Sequence, residues 1–194
     1  MRDALTSGPS RSGRALNLPR GIAPHVLREV GAIKVKPGDV LPDVALPSTR
    51  GRPMSPAEFR GKKHVVLYFY PGNDAPHAEL SGCTAEACGF RDRMQNIRDL
   101  DGVIIGVSMQ PIDAQRAFSE EQMLNFVLLS DVGGKLGSAL GVPLLLDGTR
   151  SFAKRVTFLA DKHGIIRHVF PEVHVDHHAE EVLAALLVVQ RRHG

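Results

Sequence analysis

Tryptophan is absent from this chain of 194 residues, tyrosine and cysteine occur twice each, and no apolar run is long. Each shortage excludes something. Aromatics make up only 5% of the chain and are not interleaved with Lys/Arg clusters, so there is no stacking platform or basic groove for nucleic acid. The longest apolar stretches, VVLYFY (65–70) and VLAALLVV (182–189), fall far short of the roughly 18 residues that suggest a bilayer span, so no membrane partner is expected. Two cysteines are too few for a disulfide scaffold. Their closeness, at 83 and 88 and with no secretory apolar core ahead of them, predicts chemistry in a reducing, cytoplasmic compartment.

What is present is ordinary for a folded protein. Apolar residues are 43% and charged residues 23%, which predicts one globular domain. The net charge of +3 divides unevenly. Residues 1–36 carry seven basic side chains against Asp3 and Glu29, a net +5, while the remainder carries seventeen basic and nineteen acidic side chains, a net −2. The basicity therefore belongs to an N-terminal arm, residues 1–37. Its first twenty residues are rich in Ser, Gly, Pro and Arg and predict flexibility. Ile22, Val26, Leu27, Val30 and Ile33 fall near one face at helical spacing and predict a short helix over 21–33. The folded domain is expected over 38–194.

Within that domain Leu41–Phe59 reads as a short hairpin followed by one helical turn. VVLYFY, ended by Pro71-Gly72, reads as a strand buried on both faces. A helix at 84–98, a strand at 103–108, a helix at 111–123, a strand at 126–129 and a helix at 132–140 follow. RVTFLA and IIRHVF, joined by the turn Asp161-Lys162-His163-Gly164, form a second hairpin, and a helix over 177–191 closes the chain. This order predicts an α/β fold whose mixed sheet is parallel in its first strands and antiparallel at the hairpin.

The cysteines occupy the stretch Ser81-Gly82-Cys83-Thr84-Ala85-Glu86-Ala87-Cys88. Cys83 sits where a loop gives way to a helix, and the N–H groups and dipole there favour an anion, which predicts a lowered thiol pKa. Cys88 lies five residues further along the helix, so the two Cα atoms would be about 8.6 Å apart, beyond the roughly 7 Å that a disulfide tolerates. If the two sulfurs bond, the first turns of the helix must unwind. Two inert core thiols would require no such change.

Several separate blocks resemble the peroxiredoxins of the bacterioferritin comigratory protein and peroxiredoxin Q branch. They are LPDVALPSTRGRPMSPAEFRGKK (41–63), VVLYFYP (65–71), CTAEACGFRD (83–92), VIIGVS (103–108), FVLLSD (126–131), RVTFLADKHGIIRHVF (155–170) and the closing helix. The resemblance runs over roughly residues 38–190. It implies a thioredoxin-like fold and a thiol-dependent peroxidase that uses no cofactor and reduces hydrogen peroxide and organic hydroperoxides. It makes Cys83 the peroxidatic cysteine, Cys88 the resolving cysteine in an intrachain disulfide, Pro71 the loop proline and Arg155 the guanidinium of the site. The reductant would be thioredoxin or a glutaredoxin, and either a monomer or a homodimer can run such a cycle. Lowering a thiol pKa from about 8.5 to about 6 raises the thiolate fraction at pH 7 only about 30-fold. Groups that position peroxide and stabilise its leaving oxygen must supply the rest, which is a role for Arg155.

One departure stands out. The family pattern is Pro-x-x-x-Thr/Ser-x-x-Cys, whereas Pro71 lies twelve residues before Cys83, five more than expected, with HAELS (77–81) as the insert. Pro76 has the expected distance, but Leu80 then occupies the hydroxyl position and Ser81 is one residue out of place. Ser81 either supplies that hydroxyl through a shifted loop or the site lacks it, at a cost of about 2.7–4 kcal/mol in the transition state. Two other functions share the fold. A copper-binding chaperone would pair the cysteines with His168, His174, His177 or His178, and a protein thiol-disulfide oxidoreductase would normally carry Cys-x-x-Cys, which is missing here.

Overall fold

The computed structural model describes residues 27–73 and 82–194. The central sheet has five strands: β2 (His64–Phe69), β3 (Gly102–Ser108), β4 (Val127–Ser130), β7 (Val156–Ala160) and β8 (Ile166–Phe170), in the order β4-β3-β2-β7-β8. β2, β3 and β4 run parallel, β7 pairs antiparallel with β2, and β8 pairs antiparallel with β7 at the edge. The mixed sheet expected from the sequence is therefore present.

Period-two alternation along β2 divides the core. Val65, Leu67 and Phe69 join one apolar cluster, and Val66, Tyr68 and Tyr70 join the other. Both sets are buried, as a continuous apolar run demands. Helix α4 (Lys135–Leu140) and the segments around Leu41, Leu46 and Met54 cover the first face. The second face is covered by α1 (Cys83–Asp92), α2 (Met94–Asp99), α3 (Ile112–Glu121) and α5 (His178–His193). Tyr68 lies across its register partner Gly106, where a Cβ would come within 2.7 Å of the phenol oxygen. A glycine is therefore required in the middle of β3.

Three expectations change. The helix predicted over 21–33 is, in its described part, a strand, β1 (Arg28–Val30), paired antiparallel with β5 (Leu144–Asp147). The exposed edge of β5 offers hydrogen bonds, and Gly31 at φ +98° turns the chain out of any helix. The packed fold also begins before residue 38, because Ile33 and Val35 pack on the core and the Lys34 N–H donates to the Leu140 carbonyl at 3.0 Å. The predicted helix over 84–98 is two helices, separated at Arg93, whose N–H turns back to the Phe90 carbonyl. A further hairpin, β5 with β6 (Arg150–Ala153), completes a separate three-stranded sheet, β1-β5-β6. Among the described residues no helix is long and apolar enough to cross a membrane. Residues 1–26, which include most of the predicted arm, lie outside the described residues.

Candidate active site

Cys83 is the first residue of α1, with Gly82 at the N-cap. The helix carries Cys83, Glu86, Ala87 and Phe90 on its buried face, a spacing that puts one side chain above the next. An acid on that otherwise apolar stripe needs a partner, and Arg155, in the link between β6 and β7, supplies it. Arg155 Nη2 donates to Cys83 Sγ at 3.1 Å and Nη1 donates to Glu86 Oε2 at 2.5 Å. One guanidinium thus bridges the sulfur and the carboxylate. The thiol in turn donates to the Gly72 carbonyl at 3.2 Å, just after Pro71, which is itself buried at the end of β2.

The electrostatics correct one expectation. The Cys83 thiol is raised, because burial penalises the thiolate; Arg155 opposes that through its charge and hydrogen bond, and Glu86 adds to it. Cys83 is only 5% exposed, and desolvation outweighs the helix terminus. Burial pushes Glu86 up to about 7, against the pull of Arg155. Its Oε1 and the hydroxyl of Tyr68 are buried without hydrogen-bond partners, so the carboxyl is held on one oxygen only, by Arg155.

Cys88 is half-buried, and its Sγ faces Gln122 Oε1 at 3.7 Å. Five helical residues rotate it about 140° from Cys83, and no disulfide joins the two. Ser81 and the insert 77–81 lie outside the described residues. Next to the site, Pro71, Met109, Pro111, Arg150 and Phe152 wall a cleft of about 230 Å³. A larger cavity of about 300 Å³, walled by Phe69, Val107 and Val142, lies on the opposite sheet face from the sulfur. Among the described residues no group of three or more His, Cys, Asp or Glu side chains converges to hold a metal. His178, one of the histidines considered for copper, is buried with Nε2 on Thr157 Oγ1 at 2.8 Å. The structure thus joins Cys83, Arg155 and Pro71, and keeps Cys88 apart. Glu86 has no role in the sequence pattern alone, although its place three residues after Cys83, on the same helical face, is a usable signal.

The sequence profile of the AhpC/TSA family matches residues 37–169, well over half of the chain. The chain belongs to the AhpC/TSA family. Among its peroxiredoxin relatives, the bcp peroxiredoxin of Coxiella burnetii is 37% identical over 159 residues, covering 79% of this chain and 100% of that one. The chloroplast peroxiredoxin Q of Sedum lineare is 37% identical over 148 residues, covering 74% of this chain and 75% of that one. Among solved structures, the peroxidoxin BcpB of Mycobacterium tuberculosis superposes with a TM-score of 0.70 at 32% identity, over 79% of this chain and 97% of that one. The bacterioferritin comigratory protein of Xanthomonas campestris gives 0.69 at 25% identity, over 82% and 99%. This peroxiredoxin therefore has the thioredoxin-like fold and is a thiol-dependent peroxidase, with a peroxide as substrate and a thiol as reductant.

Proposed function

We propose that Cys83 is the peroxidatic cysteine and Cys88 the resolving one. The observation that carries this reading is the single guanidinium of Arg155 shared by Cys83 Sγ and Glu86. The Cys83 thiolate attacks one peroxide oxygen and the O–O bond breaks. The sulfur becomes a sulfenic acid, and the other oxygen leaves as water or an alcohol after taking a proton. Arg155, already within hydrogen-bond distance of the sulfur, is placed to stabilise the charge that moves onto the leaving oxygen. The Cys88 thiol then displaces hydroxide from the sulfenic sulfur, releasing water and leaving an intrachain disulfide, which an external dithiol reduces by exchange. Thioredoxin or a glutaredoxin fits that last step. A reducing compartment such as the cytoplasm suits a cycle that must be recharged by dithiols, and an intrachain bond needs no second subunit.

The test is intact mass and free-thiol count before and after one equivalent of hydrogen peroxide, for the wild type, Cys83→Ser and Cys88→Ser. The expected result is loss of two hydrogens and both thiols in the wild type, with a stable sulfenic acid only in Cys88→Ser. Survival of both wild-type thiols would overturn the assignment.

A further inference from the structure

A single peptide unit, the one joining Gly72 to Asn73, faces the sulfur with one end and a buried glutamine with the other. Its carbonyl oxygen accepts the Cys83 S–H at 3.2 Å, and its N–H donates to Gln110 Oε1 at 3.3 Å. In a trans peptide these two groups point in opposite directions, and no cis bond occurs among the described residues. The plane of that peptide, and with it the direction from which the carbonyl meets Sγ, is fixed when the N–H is fixed. The side chain of Gln110 also lies flat against Gly72, where a Cβ would come within 2.8 Å of its Cδ.

Gln110 is itself held firmly. It is 8% exposed. Its N–H donates to Ser108 Oγ at 3.2 Å, and its carbonyl accepts from Ser130 Oγ at 2.7 Å. The Ser108 hydroxyl lies 3.5 Å from Gln110 Oε1 and accepts from Gln115 Nε2 at 2.7 Å. Gln115 Nε2 also donates to the Leu129 carbonyl at 3.0 Å, and Gln115 Oε1 accepts from the Tyr70 hydroxyl. The network ties the ends of β3 and β4 to α3, so Gln110 projects from the rigid sheet onto the chain that leaves β2. The Asn73 N–H, a donor only, demands an oxygen opposite it, which sets the orientation of the Gln110 amide.

We propose that Gln110 is a positioning residue for the peroxidatic thiol, acting through the Gly72–Asn73 peptide. This inference rests on the assignment of Cys83 as the attacking sulfur. Accepting from the N–H polarises the peptide and strengthens the carbonyl as an acceptor, while the anchored side chain keeps that oxygen from swinging away. Without this acceptor the peptide can turn about its flanking bonds, and the thiol loses the group that aims it.

The test places Gln110→Met and Gln110→Glu in a Cys88→Ser background, where oxidation stops at the sulfenic acid. Met keeps the length and the contact with Gly72 but lacks the acceptor, whereas Glu keeps an oxygen opposite the Asn73 N–H. Two quantities are measured from pH 5 to 10: the rate of sulfenic acid formation with hydrogen peroxide and the rate of Cys83 alkylation by iodoacetamide. The Met variant is expected to form sulfenic acid about tenfold more slowly, the size of one lost hydrogen bond, with a displaced alkylation midpoint. The Glu variant is expected to recover most of the rate. A Met variant with the parental rate and midpoint, or Met and Glu variants that are equally slow, would overturn the proposal. If Gln110→Met does not fold, Gln110→Asn, which withdraws the amide by one methylene, is expected to show the same loss. Failure of the parental protein to form sulfenic acid would instead refute the peroxidatic assignment, and the alkylation midpoints would still report on Gln110.

Discussion

At the scale of single residues, two side chains, Cys83 and Glu86, share the guanidinium of a third, Arg155. Removing the donor by Arg155→Met is expected to slow peroxide reduction about 100- to 1000-fold, the usual effect of losing a preorganised donor at a developing negative charge; stopped-flow oxidation of Cys83 measures it. Glu86 acts in the opposite electrostatic sense, because its carboxylate raises the thiol pKa beside it. Glu86→Gln is therefore expected to move the Cys83 alkylation midpoint to lower pH, and a midpoint that stays put would mean Glu86 carries no charge when the thiol ionises. Cys83 was legible in the sequence because a cysteine at a loop–helix junction, with a second thiol nearby, is an uncommon pattern. Glu86 required seeing that it falls on the same helical stripe as Cys83, Ala87 and Phe90. The contacts of Gly72 and Gln110 were not legible at all, since residues 72 and 110 are brought together only by the parallel pairing of β2 and β3.

At the scale of elements, α1 has to satisfy two geometries. Reduced, it is a regular helix from Cys83 to Asp92; under the proposed cycle it must open on oxidation to join sulfurs that helical geometry holds too far apart. Hydrogen exchange of the amides between Ala85 and Gly89 is expected to accelerate in the disulfide form, and unchanged protection would argue against the intrachain bond. Elsewhere the sheet depends on close approach: Gly106→Ala is expected to displace the Tyr68 ring and cost about 1–3 kcal/mol, read as a lower urea midpoint. The strands of the central sheet were legible because continuous apolar runs ended in turn residues. β1 is not legible as a strand because its three residues, Arg28, Glu29 and Val30, are all exposed and carry no apolar alternation of their own; pairing with β5 decides their conformation. The β5–β6 hairpin has its sequence signal in the turn Asp147-Gly148 between Leu144–Leu146 and Phe152.

At the scale of the whole molecule, buried titratable groups set how stability varies with pH. Burial lowers the pKa of His64 and His178 below the ordinary 6.5, so the unfolded chain takes up their protons first and stability falls as pH drops below about 6.5. Glu86 works the other way. It stays protonated in the fold up to about 7 instead of the ordinary 4.5, so its contribution falls as pH rises between those values. Replacing it by Gln removes the opposing slope, and denaturant midpoints measured from pH 7 to 4.5 are expected to decline more steeply in Glu86→Gln than in the wild type. The placement of the two sulfurs on different sides of one helix has a further consequence. If Cys83 and Cys88 are the pair proposed above, oxidation of Cys83 starts a clock, and a second peroxide molecule that arrives before the helix opens would convert the sulfenic acid to a dead-end sulfinic acid. The fraction of molecules lost per turnover would then rise with peroxide concentration and fall with every substitution that loosens α1, so that the rigidity of this one helix would set the oxidant dose the protein can survive.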